Sequence, residues 1–261
     1  LAKYKHIRLT DAELEEAILS AKIKKEARLK HEAVLERERF NRENLINNRW
    51  STEQTRSFMQ YRAENVFLPK KFVIDRENML VFDMLCDYFS NDRGFISKAL
   101  AIGVNNPSLE KGILLCGIFG TGKTWMMQLF SKNQRQCYNM VTCEKIAEAY
   151  QVEGVEGIAQ YEKNHKNPYN DADSFFHPVS GYCFDEIGSE DEIKNFGNNK
   201  NVIGNIIQKR YNMKFCGPLL HGTTNMSGPQ INEYFGGRVA SRMREVFNFI
   251  ELKGEDRRSK I

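Results

Sequence analysis

The chain has 261 residues, of which 41% are hydrophobic and 28% charged, and a formal net charge of +4. That length suits one α/β core with a small appendage, and so slight a positive charge does not by itself mark a nucleic-acid binder. No apolar run approaches the roughly 18–20 residues needed to span a membrane, and the N-terminus is charged, unlike a signal peptide. The six cysteines include no C-x-x-C pair, which reads as reduced, buried thiols in a cytoplasmic protein rather than a zinc site or disulfide framework.

The N-terminal region differs from the rest. From residue 9 to about residue 48 there is neither glycine nor proline, and charges of both signs alternate with Leu, Ile and Ala. Thr10 with Glu13 has the form of a capping box, and Leu9 with Leu14 the spacing of a hydrophobic staple. Leu14, Ile18 and Ala21 mark one apolar stripe that breaks at Lys25 and Arg28. A helix of this kind docks on a partner, projects into solvent or folds back on its own core. Ser51 followed by Gln54 starts a second helix that runs to about residue 63. The stretch around Leu68 and Pro69 is a connector, and residues 76–89 carry helical spacing at Leu80, Phe82, Leu85 and Tyr88. Residues 1–64 are therefore read as an N-terminal helical region that binds a partner, and 65–261 as the main domain.

The main domain alternates strands and helices. Residues 113–116 form an apolar strand that leads directly into Gly117, Ile118, Phe119, Gly120, Thr121, Gly122, Lys123 and Thr124, the pattern G-x-x-x-x-G-K-[ST]. A buried strand ending in a glycine-rich turn that opens a helix aims backbone N–H groups and the helix dipole at one point, a phosphate-binding arrangement. The three glycines permit dihedrals and a close phosphate approach that a Cβ would forbid. Lys123 reaches the β- and γ-phosphates of a nucleotide, and the Thr124 hydroxyl ligates Mg²⁺. The nucleotide-binding set is the whole loop with Trp125. Further strands are expected at 138–141, 182–184 and 218–221, and helices at 144–150 (capped by Thr142) and 202–211, with a loop over 161–180. The repeating order predicts a mostly parallel sheet with helices on both faces.

Asp185 and Glu186 follow the third strand. In a parallel sheet, ligands collect at the C-terminal ends of the strands, so this pair faces the phosphate loop. Asp185 suits the metal-linked position beside Thr124, and Glu186 suits the base that orients the attacking water. Acidic pairs are also common punctuation at strand ends, and it is the position after a strand and downstream of the loop that favours chemistry. Asn225, ending the fourth strand, can hydrogen-bond that water or the γ-phosphate; its alternative is a cap on the following turn. Arg238 and Arg242 share a helical face, with Arg244 close by. Such a run is commonly a solvated helix face, the alternative being a reach to a neighbouring subunit's nucleotide.

Taken in order, the phosphate loop, Asp185 and Glu186, Thr223 to Asn225, the arginines from Arg238 to Arg244, and Gly254 to Arg258 resemble the AAA+ ATPases. Within them the set looks like the DnaC/DnaI-type helicase loaders and the IstB-type transposition helpers, over roughly residues 65–261. The resemblance implies a P-loop NTPase fold of AAA+ type and an ATPase that uses ATP and Mg²⁺. Asn225 would be the first sensor residue, Arg242 an arginine finger acting across a subunit interface, and Arg258 the second sensor. Arg238 and Arg244 stay open for the finger, as does Arg257 for the second sensor. Only 36 residues follow Asn225, so a minimal C-terminal lid is expected, as in the loaders and transposition helpers. A GTPase would need N-K-x-D, which the run from Asn199 to Val202 lacks, and no L-S-G-G-Q signature of transporter ATPases occurs.

The implied partner is a replicative helicase gripped by the N-terminal helical region; the alternative is a transposase. Self-association into an ATP-dependent oligomer and contact with single-stranded DNA are implied as well. For the DNA contact, the segment 144–161 offers only Lys145, Tyr150 and Tyr161, sparse equipment for stacking on bases and neutralising phosphates.

Overall fold

The computed structural model describes residues 10, 15–16, 18–29, 50–67, 71–166, 179–189, 194–195, 198–199, 201–214 and 216–257. The chain divides into two compact units, Leu1–Asn48 and Arg49–Ile261. In the first, residues 18–29 are helical, and Ile18, Leu19, Ile23 and Leu29 are exposed, as an interrupted apolar stripe leads one to expect. Leu9, Glu13 and Leu14, the remainder of the proposed helix start, lie outside the described residues.

The second unit begins with α1 (Thr52–Asn65), α2 (Met79–Ser90) and α3 (Gly94–Ala101). The strand β1 (Gly112–Cys116) leads through the glycine loop to α4 (Lys123–Phe130). Next come β2 (Tyr138–Thr142), α5 (Cys143–Glu153), α6 (Val155–Ile158), the short β3 (His165–Lys166) and β4 (Val179–Ile187). The small hairpin β5 (Lys194–Asn195) and β6 (Asn198–Asn199) precedes α7 (Val202–Asn212), β7 (Leu220–Thr224), α8 (Gly228–Val246) and β8 (Phe247–Glu251). The main sheet has the order β2-β4-β7-β1-β8. All of these pairings are parallel, and β3 adds an antiparallel flap on the start of β4.

Both faces of the sheet are covered, which is why β1 and β7 read as continuous apolar or uncharged runs instead of alternating ones. Ile113 and Leu115 pack with Phe82, Leu85 and Phe130 on one face. Leu114, one residue out of phase, packs with Phe184, Ile203 and Phe247 on the other. Local chemistry sets the helix starts. Ser51 and Gln54 form the expected capping box, the Thr142 hydroxyl accepts the Lys145 amide at 3.2 Å, and Asn201 caps α7 through the Gly204 amide at 2.7 Å.

The segment Thr52–Asn65 sits in the second unit, where Met59 and Ala63 join the core and Arg62 binds the far end of α4. The fourth predicted strand is shifted. Gly217–Leu219 forms a 3₁₀ turn and the strand runs Leu220–Thr224, because Pro218 has no N–H to give a ladder. The third strand is longer than expected and carries Asp185 and Glu186 within its last residues. The expected loop over 161–180 contains β3, while residues 167–178 lie outside the described set. The short strands β3, β5 and β6 had no counterpart in the sequence reading, nor did the longer elements α3 and the edge strand β8.

Candidate nucleotide site

The glycine loop is shaped as much by the C-terminal segment as by any phosphate it would hold. A Cβ on Gly117 would lie 2.5 Å from the Leu252 carbonyl oxygen, and one on Gly120, at φ +78°, would lie 1.8 Å from an Asp256 carboxylate oxygen. The backbone explains both approaches. The Leu252 amide donates to the Cys116 carbonyl at 2.8 Å and the Arg257 amide to the Gly120 carbonyl at 3.0 Å. The chain leaving β8 is thus zipped along the outside of the loop.

Inside, the polar side chains converge. Lys123, 6% exposed, donates from Nζ to the Gly117 carbonyl at 2.8 Å, the Ile118 carbonyl at 2.7 Å and Asn225 Oδ1 at 2.7 Å. The Thr124 hydroxyl donates to Asp185 Oδ1 at 3.0 Å. Thr223, on the strand between β1 and β4, donates to the same Oδ1 at 2.6 Å, and its oxygen accepts the Glu186 amide at 2.9 Å. Glu186 itself has φ +59°, a left-handed conformation that costs a non-glycine residue on the order of 1–3 kcal/mol and is found where surrounding structure enforces it.

These groups border a cavity of about 830 Å³ whose wall includes Phe119, Gly120, Gly122, Lys123, Thr124, Trp125, Asp185, Glu186 and Asn225. Of the remaining loop residues, Thr121 is 1% exposed and donates to the Ile118 carbonyl at 3.1 Å, so it braces the turn from within. Ile118 points outward, 63% exposed. The far wall joins Lys71, Phe72, Val73 and Asp75 from the segment before α2, which sequence reasoning missed, to Arg257, the alternative to Arg258 in the C-terminal segment. Arg257 grips Asp75 with both terminal guanidinium nitrogens, at 2.6 and 2.9 Å. That hydrogen-bonded cation holds the Asp75 carboxyl below the ordinary aspartate range. Asn78, fully buried, fixes the same segment by donating to the Val73 carbonyl at 2.8 Å. Nothing in the bare sequence pairs residue 75 with residue 257.

The other predicted residues are placed elsewhere. Arg258 lies outside the described residues. Arg242 does not border the cavity. Its guanidinium sits 5.3 Å from the Tyr211 ring centroid, and the Tyr211 hydroxyl donates to Glu245 at 2.7 Å. Arg238 and Arg244 are exposed on the same helix, which begins afresh after a non-helical residue at Gly236.

The oxygen donors at Thr124 and Asp185 form a hard-ligand pair of the kind Mg²⁺ prefers, adjacent to a lysine and a turn of backbone amides suited to phosphate. Burial raises the thiols of Cys86 and Cys116 to about 12 and that of Cys216 to about 11, and pushes Cys183 well up. Among the described residues no group of His, Cys, Asp and Glu could form a further metal cluster, and no helix is long and apolar enough to cross a membrane.

A glycine loop closing β1, an acidic pair closing β4 and an amide closing the strand between them meet at one end of a parallel α/β sheet with helices on both faces. No family model matches the chain, and no curated protein matches it. Among solved structures it is similar to DnaI, at 18% identity over 77% of this chain and 93% of that one, with a TM-score of 0.46. It is also similar to the DnaC helicase loader, at 18% identity over 75% of this chain and 98% of that one, TM-score 0.42. AMPPCP-bound DnaA from Aquifex aeolicus is similar at 17% identity over 71% of this chain and 50% of that one, TM-score 0.42.

Proposed function

We propose that this chain binds and hydrolyses ATP with Mg²⁺, and that it does so as a loader of a replicative DNA helicase. The observation that carries the ATPase reading is the convergence of Lys123, Thr124, Asp185, Glu186 and Asn225 on one cavity. The triphosphate would lie in the turn of backbone amides, where Lys123 exchanges its loop carbonyls for phosphate oxygens. Thr124 and Asp185 would hold the metal, which when bound neutralises charge on the β- and γ-phosphate oxygens. Glu186 orients a water and receives its proton, and Asn225 hydrogen-bonds the same region without adding charge.

The helicase reading is supported by the ordered set of motifs and by the N-terminal helix, whose apolar residues are exposed; transposition helpers share the same motif order. Two experiments test the proposal. Steady-state turnover of the purified full chain with ATP and Mg²⁺ tests the chemistry. For the partner, the full chain is mixed with a purified replicative helicase and, separately, with a transposase. Co-elution with the helicase supports the loader, whereas co-elution with the transposase alone replaces it with the helper.

A further inference from the structure

We propose that Thr223 is a positioning residue for both acidic groups of the site, fixing the Asp185 carboxylate with its hydroxyl proton and the Glu186 peptide with its oxygen. The assignment follows from counting protons. A threonine hydroxyl has one hydrogen, and an ionised carboxylate can only accept. The contact with Asp185 Oδ1 at 2.6 Å therefore takes that hydrogen, and the Glu186 amide at 2.9 Å must donate to the hydroxyl oxygen. Both bonds run in one direction, from Glu186 N–H through Thr223 to Asp185.

The backbone shows why a side chain is needed there. Phe184 pairs with Gly222 and Ile187 with Thr224, and the β4–β7 register shifts between these two pairs. At that shift Glu186 turns to φ +59°, so its N–H leaves the regular ladder, as in a bulge. Thr223 is fully buried on the strand between β1 and β4, where water cannot take over the contact. The hydroxyl thus satisfies the displaced amide and holds Glu186 turned toward the cavity. By binding Oδ1, it also fixes the rotation of the Asp185 carboxylate, which Thr124 contacts through the same oxygen at 3.0 Å.

What the two carboxylates do rests on the ATPase reading; how they are held does not. Thr223→Val keeps the shape and removes both bonds, and Thr223→Ser keeps both bonds. The full chain and each variant are titrated with mant-labelled ATP in EDTA and in Mg²⁺, and ATP turnover is measured alongside. Expected for Thr223→Val is metal-free affinity within about twofold of wild type, loss of most of the affinity gained on adding Mg²⁺, and turnover lower by about 10- to 100-fold, as for a displaced catalytic group. Thr223→Ser should restore both properties. If Thr223→Val does not fold, Thr223→Cys, similar in size and weaker in hydrogen bonding, takes its place with the same expectations. A valine or cysteine variant with the full Mg²⁺ gain and full turnover overturns the proposal, as does a serine variant as impaired as valine. A wild-type protein that shows the Mg²⁺ gain, loses it in valine and yet turns over no ATP upholds the positioning role and refutes hydrolysis instead.

Discussion

In the proposed function Lys123 serves binding and Glu186 serves chemistry, and single substitutions should separate the two. Lys123 donates to two loop carbonyls and to Asn225, contacts available for exchange with phosphate, whereas Glu186 contributes a side chain to the cavity wall and no brace to the loop. Glu186→Gln is expected to retain ATP affinity while steady-state turnover falls by about 100-fold or more; normal turnover in that variant would remove Glu186 from the role of base. Gly120→Ala tests a different dependence. Its Cβ would meet Asp256 at 1.8 Å in a left-handed conformation, so thermal unfolding should show a loss of about 1–3 kcal/mol together with weaker ATP binding. The phosphate loop and the acidic pair were legible in the sequence because their chemistry is local and ordered along the chain. The Asp75–Arg257 pair was not, since its members are joined only when the C-terminal segment folds along the loop.

At the scale of elements, α1 and the helix that follows the phosphate loop behave as one unit. Arg62, 8% exposed, donates to the Leu129 and Gln128 carbonyls at 2.8 and 3.3 Å. A cation there satisfies orphan carbonyls and opposes the negative end of the α4 dipole. At the opposite end of α4, Phe67 stacks on Trp125 with centroids 4.6 Å apart and planes 8° from parallel. Arg62→Met, which keeps most of the apolar stem, should cost about 1.5–3 kcal/mol in a denaturant titration, the scale of charged hydrogen bonds. The capping box at Ser51 was readable; this clasp was not, because a buried arginine looks like any surface charge until its acceptors are known.

The β3–β4 flap supplies a pH-dependent element. His165 Nε2 lies 2.7 Å from the Asn139 side-chain nitrogen, so that ring nitrogen accepts and the imidazole is neutral. Burial, with the nearby charge of Arg210, lowers the His165 pKa below 6.5. A depressed histidine contributes stability that is present above its unfolded pKa and lost as pH falls toward the folded one. The melting temperature should therefore drop between about pH 7.5 and 5.5, and His165→Gln should flatten that slope; an unchanged slope in the variant would place its origin elsewhere.

The second unit is built on a parallel sheet whose C-terminal strand ends gather the candidate chemistry, while the arginines of α8 do not border the cavity of their own chain. If one of them completes a neighbour's site, complementation follows. Arg242→Ala should bind ATP normally and lose turnover, and mixing it with Lys123→Ala should restore part of that turnover, because each inactive subunit supplies what the other lacks. Arg238→Ala and Arg244→Ala run beside it decide among the three. The parallel order was readable from alternating strands and helices, but β8 was not. Its short Phe247–Glu251 run follows α8 directly, with the cap residue of the helix serving as the first of the strand, so no turn signal announces it. The most direct test of the account is a binding isotherm for ATP with Mg²⁺ on the full chain and on Lys123→Ala. Saturable, metal-dependent binding that weakens at least about tenfold in the variant is expected; an unaltered chain that takes up no adenine nucleotide saturably would contradict nucleotide binding at this loop.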